Sequence, residues 1–431
     1  MKILHITTHD SGGAGKAAYR LHKNFLVYGH HSRMLVQQKT VDDPTVIEFM
    51  PSLIDKILIS LNYRIYNFIE KILFQKDEKY VYRGTPKHSG TVFSAGKILK
   101  QLSFKPDFII LHWISEFIDS NIIFELYNDT LAPIAWRFMD MGALTGGCHY
   151  SFSCKRYINQ CGQCPALFSR SKNDISHKML LRKHQYLRKI DILSVAGSTE
   201  IYQQTQSSFL FRSKKIYKIL IAVDENIFKP ADKIEAKKQL GIPHNKKVIF
   251  WGAKYIWEER KGFSQFIDCL QNIRDEFLVG NINPNDVFIL IAGNTNKDLK
   301  EIFFQYKHIE YIENDKHLAL MYQAADMFVC TSIADSGPMM INESIMCGTP
   351  VVTFDIGVAQ DLVINGKTGY RIAIDEQKAQ QLSFAVKNII SLDNNAYQEM
   401  SNNCRAMGLD NCSLKKEVEQ FQLLFNDFQG R

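Results

Sequence analysis

No apolar run in this chain approaches the roughly 18 residues that a bilayer-spanning helix needs. Stretches such as Phe108 to Trp113 stop far short of that length, so a transmembrane span is not expected. The opening stretch MKILHITTHDSGGAGK lacks the apolar core of a secretory leader and reads as a strand from residue 2, so a cytoplasmic location is expected. Compositional extremes are also missing. With 45% hydrophobic and 23% charged residues among 431, the chain has material for two cores and none of the bias that marks long-range disorder. An even cysteine framework is absent: the nine cysteines are an odd number, and a reducing compartment argues against disulfides. What is present in excess is positive charge, +7. It favours phosphorylated ligands, acidic membrane surfaces or nucleic acid without choosing among them.

Short apolar strands alternate with helical stretches, the pattern of parallel sheets covered by helices. In the first half the expected strands are KILHIT, RMLVQQ, DFIILHW, APIAWRFM and DILSVAGS; in the second they are KKVIFWGA, VFILIAG, IEYIE, DMFVCTS and TPVVTF. The expected architecture is α/β, with two Rossmann-like domains joined near residues 222 to 245. Two such sheets facing a central cleft would suit an enzyme with two substrates. The segment SLKKEVEQFQLLFNDF has helical periodicity and is expected to pack back on the first half. One insertion breaks the rhythm. From Leu53 to Gln75, apolar residues recur at helical spacing with Lys and Arg between them, which fits amphipathic core helices or a basic face resting on an anionic membrane.

Three motifs carry chemistry. After the first strand, Gly12, Gly13 and Gly15 permit a tight turn and close approach of a phosphate to a helix N-terminus, or serve only the turn. The third glycine of the dinucleotide fingerprint and the Walker pattern are both missing, which weakens NAD and P-loop readings. In the second half, Arg260 and Lys261 precede Gly262 and could neutralise a leaving diphosphate without a metal, or belong to a solvated charged face. In ADSGPMMINESIMCGTPVVTF, a helix from Met339 would aim the N–H groups of Met339 and Met340 at an anion, with Pro338 lacking nothing by its missing N–H. Glu343, one turn in, could accept two vicinal hydroxyls such as those of a ribose, while Asp335 could reach a sugar hydroxyl or a developing positive charge. A glycosidase-like acid pair would leave the adjoining anion site unexplained.

Taken together, these motifs resemble GT-B retaining glycosyltransferases of family 4. The acid-x7-Glu pair, the Gly-x-Pro-Val-Val strand and the NGKTGY hairpin stand in that family's order; VDENIFKP resembles its interdomain linker, RKGF its diphosphate clamp and SGGAGKAAYRL its glycine loop. The resemblance implies an acceptor-binding domain over 1–222, a donor-binding domain over 223–410 and a returning C-terminal helix over 411–431. It implies transfer from a UDP- or GDP-type nucleotide-sugar to an acceptor hydroxyl with retention, in O-antigen, capsule or exopolysaccharide biosynthesis. The acceptor is expected to be a lipid-linked saccharide, met at the inner face of the cell membrane. No catalytic cofactor and no nucleic-acid partner are expected. Glu343 then holds the donor ribose, Arg260, Lys261, Gly337, Met339 and Met340 the diphosphate, Gly13 and Gly15 approach it from the other domain, and Asp335 faces the sugar. The family commonly has Glu where Asp335 stands.

The segment PIAWRFMDMGALTGGCHYSFSCKRYINQCGQCP resembles a stretch of polysaccharide-assembling members that often carries His before the Asp; here Met139 precedes Asp140. His149 or Asp140 is the candidate for that catalytic duty. Cys148, Cys154, Cys161 and Cys164 lie within 17 residues and suit a structural zinc, packing thiols or a redox pair. Alternative readings of the whole are a nucleotide-sugar epimerase of the same fold or an inactive nucleotide-sugar-binding relative. A nucleic-acid-binding protein would want a basic stripe with stacking aromatics, hinted at only in residues 53 to 83.

Overall fold

The computed structural model describes residues 1–73, 76–77, 79–83, 94–277, 283–296 and 298–429. The chain divides into two compact units, Met1–Ile219 with Val418–Arg431, and Leu220–Glu417. Each is a parallel sheet flanked by helices.

In the first unit the strands are β1 (Lys2–His9), β2 (His31–Gln38), β3 (Val46–Glu48), β4 (Phe108–Leu111), β5 (Ile134–Phe138), β6 (Ile192–Ala196) and β7 (Ile216–Lys218). Their order across the sheet is β3-β2-β1-β4-β5-β6-β7. The second unit has β8 (Lys247–Tyr255), β9 (Val287–Asn294), β10 (Gln305–Ile309), β11 (Met327–Cys330), β12 (Val351–Phe354) and β13 (Gly369–Ile372), ordered β10-β9-β8-β11-β12-β13. Both are Rossmann-like, with the strand order reversing between β1 and β4 and again between β8 and β11. Strands buried on both faces favour near-continuous apolar sequence: FIIL, IAWRF and ILSVA in the first unit are buried at every position, with Arg137 and Ser194 the polar exceptions.

The edges were harder to read. The segment expected as the strand IEYIE is displaced. Strand β10 covers Gln305–Ile309, with Tyr306 opposite Ile289 and His308 opposite Ile291. As an edge strand it is half solvated, so no apolar run marks it. The short edge strands β3, β7 and β13 were likewise absent from the sequence-based set. NGKTGY is not a hairpin: the chain turns at Gly366 and enters β13, which runs parallel to β12.

Helix Leu414–Gln429 places Val418, Phe421, Leu424 and Phe425 on one stripe, packed with Ile3, Phe25 and Phe108 of the first unit. The Phe108 and Phe425 rings lie 4.4 Å apart. Burying each such phenyl contributes about 1.5–3 kcal/mol, which ties this late segment to the sheet of the first unit at β4.

Helix Leu53–Leu73 does not pack as a core helix. Ile54, Ile57, Leu58, Leu61, Ile65 and Phe68 are exposed, with Lys56 and Arg64 among them, while Asp55 is buried and Ile59 packs partly against the core. The last two residues of that insertion, Phe74 and Gln75, lie outside the described residues. Among the described residues no helix is long and apolar enough to cross a membrane.

Candidate functional site

Ligands of doubly wound sheets sit beyond the carboxyl ends of the strands where the order reverses. In the second unit that point lies between β8 and β11, and the motif residues gather there. A short helical turn, Glu259–Lys261, follows β8 and ends at Gly262, whose φ of 70° is left-handed. A Cβ on Gly262 would lie 1.8 Å from the Thr331 carbonyl oxygen. Only glycine lets this turn press against the end of β11. The Ile333 N–H donates to the Arg260 carbonyl at 2.8 Å, and the Thr331 hydroxyl donates to the Gly262 carbonyl at 2.6 Å.

This close approach brings the expected diphosphate clamp onto the expected sugar carboxylate. Asp335 Oδ2 accepts from Arg260 Nη1 at 3.0 Å and from Lys261 Nζ at 2.5 Å. Arg260 Nε donates to Glu258 at 2.6 Å. Burial alone would raise the Asp335 carboxyl, but Lys261 and Arg260 override it and hold it below the usual carboxylate range. As the unit stands, two cations meet two carboxylates, and the expected clamp residues are held in ion pairs. The Gly337 N–H also reaches Asp335, at 3.3 Å.

Helix Met339–Met346 begins where its sequence implied, with Pro338 at the N-cap and no side-chain cap on the first N–H groups. Glu343, on that helix, is buried and accepts from the hydroxyl of Tyr322 at 2.9 Å. Burial and this carboxylate together push the Tyr322 phenol well above its ordinary range. Asp335 is thus held by Arg260 and Lys261, and Glu343 by Tyr322. Tyr322 belongs to no motif. Only its place on the helix Asp315–Ala324 beside β11 brings it to Glu343.

The first unit has its own arrangement. At the end of β1, Gly13 has open space around it, whereas a Cβ on Gly15 would lie 2.6 Å from the His9 carbonyl oxygen. Close packing of helix against strand accounts for Gly15. The N-cap of this helix, Ser11, makes no side-chain cap. Beyond β4 and β5, Asp140 Oδ2 lies 2.7 Å from His149 Nδ1 and accepts from Trp113 Nε1 at 2.9 Å. Trp113 Nε1 also lies 3.3 Å from Nδ1, and Nε2 is 3.4 Å from the Ser115 hydroxyl; in the neutral tautomer that donates from Nδ1 to the carboxylate, Nε2 is the acceptor. Burial would raise the Asp140 carboxyl, but His149 and the hydrogen bonds from Gly142 and Trp113 bring it below its usual value. These groups, with Met139, Arg182 and Lys183, line a pocket of about 90 Å³.

Lys183 organises the pocket floor by donating to the carbonyls of Gly142 and Thr145 at 2.5 and 2.8 Å. Burial lowers its ammonium to about 8. Trp113, Ser115 and Lys183 were not singled out in the sequence. They come from distant segments whose only local signal is an apolar strand or a basic helix. The four cysteines of the same loop are all free thiols and line a second, smaller pocket.

Comparison with known proteins bears on the fold and on similarity to known families. Residues 232–407 match the family described as glycosyl transferases group 1, a segment lying wholly in the second unit. The chain resembles, among solved structures, sucrose-phosphate synthase from Thermosynechococcus elongatus (TM-score 0.66, 14% identity, 100% of this chain and 99% of that one). It also resembles Anabaena HepE in complex with UDP-glucose (TM-score 0.62, 14% identity, 99% and 100% of the two chains). The fold is that of the GT-B glycosyltransferases. Among curated relatives, the lipopolysaccharide core biosynthesis mannosyltransferase LpsB of Rhizobium meliloti is 27% identical over 207 residues, 45% of this chain and 54% of the relative. The UDP-Gal:alpha-D-GlcNAc-diphosphoundecaprenol alpha-1,3-galactosyltransferase of Escherichia coli is 25% identical over 225 residues, 49% of this chain and 54% of the relative. The chain spans about half the length of these curated relatives.

Proposed function

We propose that this chain is a retaining glycosyltransferase that moves a sugar from a nucleotide-sugar donor to an acceptor hydroxyl during assembly of a surface polysaccharide. The observation that carries the reading is the Arg260–Lys261–Asp335 cluster at the strand-order reversal of the second unit. A donor diphosphate would compete with Asp335 for both cations. Two effects follow together: the leaving group gains fixed positive partners, and the carboxylate is released towards the sugar, where positive charge grows as the bond to the diphosphate breaks. The uncapped N–H groups at Met339 and Met340 add the positive end of a helix dipole for the diphosphate. Glu343, oriented by Tyr322, takes the ribose hydroxyls. In the first unit the Asp140–His149 pair faces the acceptor pocket, where Nε2 is suited to hold or accept a hydroxyl proton.

A UDP-type donor and a lipid-linked acceptor are the preferred substrates, in line with the UDP-glucose complex of HepE and the diphosphoundecaprenol substrate named for the Escherichia coli relative. The exposed stripe of helix Leu53–Leu73 suits such an acceptor. Its apolar side chains with Lys56 and Arg64 between them match an anionic lipid surface, and the chain would rest there peripherally.

The test is calorimetric titration of the purified chain with UDP- and GDP-sugars, followed by product analysis with and without a lipid-linked acceptor. Binding of one donor class is expected, weakened at least about 100-fold by Lys261→Ala or Glu343→Ala. His149→Ala is expected to keep donor binding and lose transfer. Equal donor binding by the two second-unit variants would remove the proposed site, and epimerised donor without transfer would replace the reaction.

A further inference from the structure

The loop after β5 contains a second constellation that sugar transfer does not use. Cys148, Cys154, Cys161 and Cys164 all line one pocket of about 20 Å³, room for a single water-sized occupant and too little for a polynuclear cluster. The backbone makes this convergence. Cys161, Gly162 and Gln163 run consecutively through the left-handed region, with φ of 53°, 88° and 45°. Gly162 is required there, since a Cβ would lie 2.1 Å from the Lys172 carbonyl oxygen. That turn carries the chain round so that Cys161 and Cys164 border the same space as Cys148 and Cys154.

Polar contacts hold the loop in shape around the sulfurs. The Cys164 N–H donates to Asp174 Oδ2 at 2.8 Å, the Gly162 N–H to the Ser176 hydroxyl at 3.1 Å, and that hydroxyl to Asp174 Oδ1 at 2.6 Å. Such contacts fix the segment that carries the ligands, as outer groups do around metal-bound ligands. Half-buried Lys183 places a cation in electrostatic reach of Cys161 and Cys148. Among the described residues no group of three or more His, Cys, Asp or Glu side chains stands close enough together to hold a metal ion. The four sulfurs border one small space, and closing on an ion requires the thiols to lose their protons and the side chains to rotate inward.

We infer that this pocket is a structural zinc site in which Cys148, Cys154, Cys161 and Cys164 bind one zinc ion as a tetrathiolate. Four soft sulfur ligands suit tetrahedral zinc and leave no open position for catalysis. Binding exchanges four thiol protons for one dication, leaving a net charge of −2 that Lys183 partly offsets. The site has a positioning role. Cys148 directly precedes His149, Tyr82 and Cys148 form an isolated bridge, and the His149 N–H donates to the Val81 carbonyl at 2.9 Å. An ion bound there would hold His149 against Asp140.

The full chain, purified under reducing conditions without chelator, is expected to carry one zinc per chain by elemental analysis and to keep it through dialysis. Cys161→Ser/Cys164→Ser is expected to lose it. Where that variant is insoluble, cobalt(II) added to the metal-stripped parent decides. Thiolate-to-cobalt charge-transfer bands together with the intense visible bands of a tetrahedral tetrathiolate support the site. A metal-free parent without those bands, a Cys148–Cys164 disulfide in chain purified anaerobically, iron–sulfur absorbance, or zinc retained by the double variant would each overturn it. None of these readouts depends on donor or acceptor, so they stand apart from the proposed transfer.

Discussion

The two units share one sheet plan yet gather different chemistry at the carboxyl ends of their strands, at the order reversal in the second unit and one strand further along in the first. Beyond β8 and β11 the second unit gathers Arg260, Lys261, Asp335 and Glu258, charged groups held in ion pairs. Beyond β4 and β5 the first unit gathers an indole, an imidazole and one carboxylate around an enclosed pocket. The sheet supplies a place where loops diverge; the loops supply the chemistry. Paired full charges suit a ligand that is itself charged, whereas an imidazole–carboxylate pair suits a hydroxyl whose proton must move.

The comparison breaks most severely at glycine. Gly262→Ala forces a side chain into a left-handed residue and against the Thr331 carbonyl, so a loss of about 3 kcal/mol or more is expected from the urea midpoint. Gly13→Ala, in open space on the first unit, should leave the ligand-free chain within about 0.5 kcal/mol of the parent. Equal effects would mean that the second site does not depend on this close contact.

Charge storage is the next target. Asp335→Asn leaves two partly buried cations without their shared partner, a loss of about 2 kcal/mol at neutral pH. Because the native carboxyl is held below its usual value, its stabilisation is full above the ordinary carboxylate pKa of about 4 and is lost as pH falls through the native value. The gap between parent and variant, followed by urea unfolding at successive pH values, should accordingly close on acidification. A gap that is constant with pH would show that the ion pairs do not carry it.

The smallest effect on stability is expected on the exposed helix. Ile57→Glu/Leu61→Glu should leave the urea midpoint within about 0.5 kcal/mol, since both side chains are solvated. Sedimentation with anionic phospholipid vesicles should nonetheless fall sharply. Unchanged sedimentation would detach this helix from any membrane role.

Legibility followed locality. KILHIT, DFIILHW and TPVVTF could be read because strands buried on both faces must be apolar throughout, and the helix at Met339 because Pro338 marks its start. Edge strand β10 could not, since solvation lets it be polar. The clamp and both acids stood out as short motifs, but their direct pairing did not: Lys261 and Asp335 are 74 residues apart and meet only because β8 and β11 are neighbours. Likewise the amphipathic period of Leu53–Leu73 was plain in sequence, while the direction of its apolar face was not. Periodicity records that a face exists and says nothing of what covers it.

By itself the sequence determined the α/β plan with two parallel sheets, the helix that returns to the first unit, and the short segments that carry charge and glycine. These are local properties of spacing and polarity. Only the tertiary structure decided that Asp335 neutralises the cations beside it, that Tyr322 orients Glu343, that Trp113 and Asp140 flank His149, and that four separated cysteines border one pocket. Each of those depends on strand order and close backbone approach, which bring together residues that no local spacing relates.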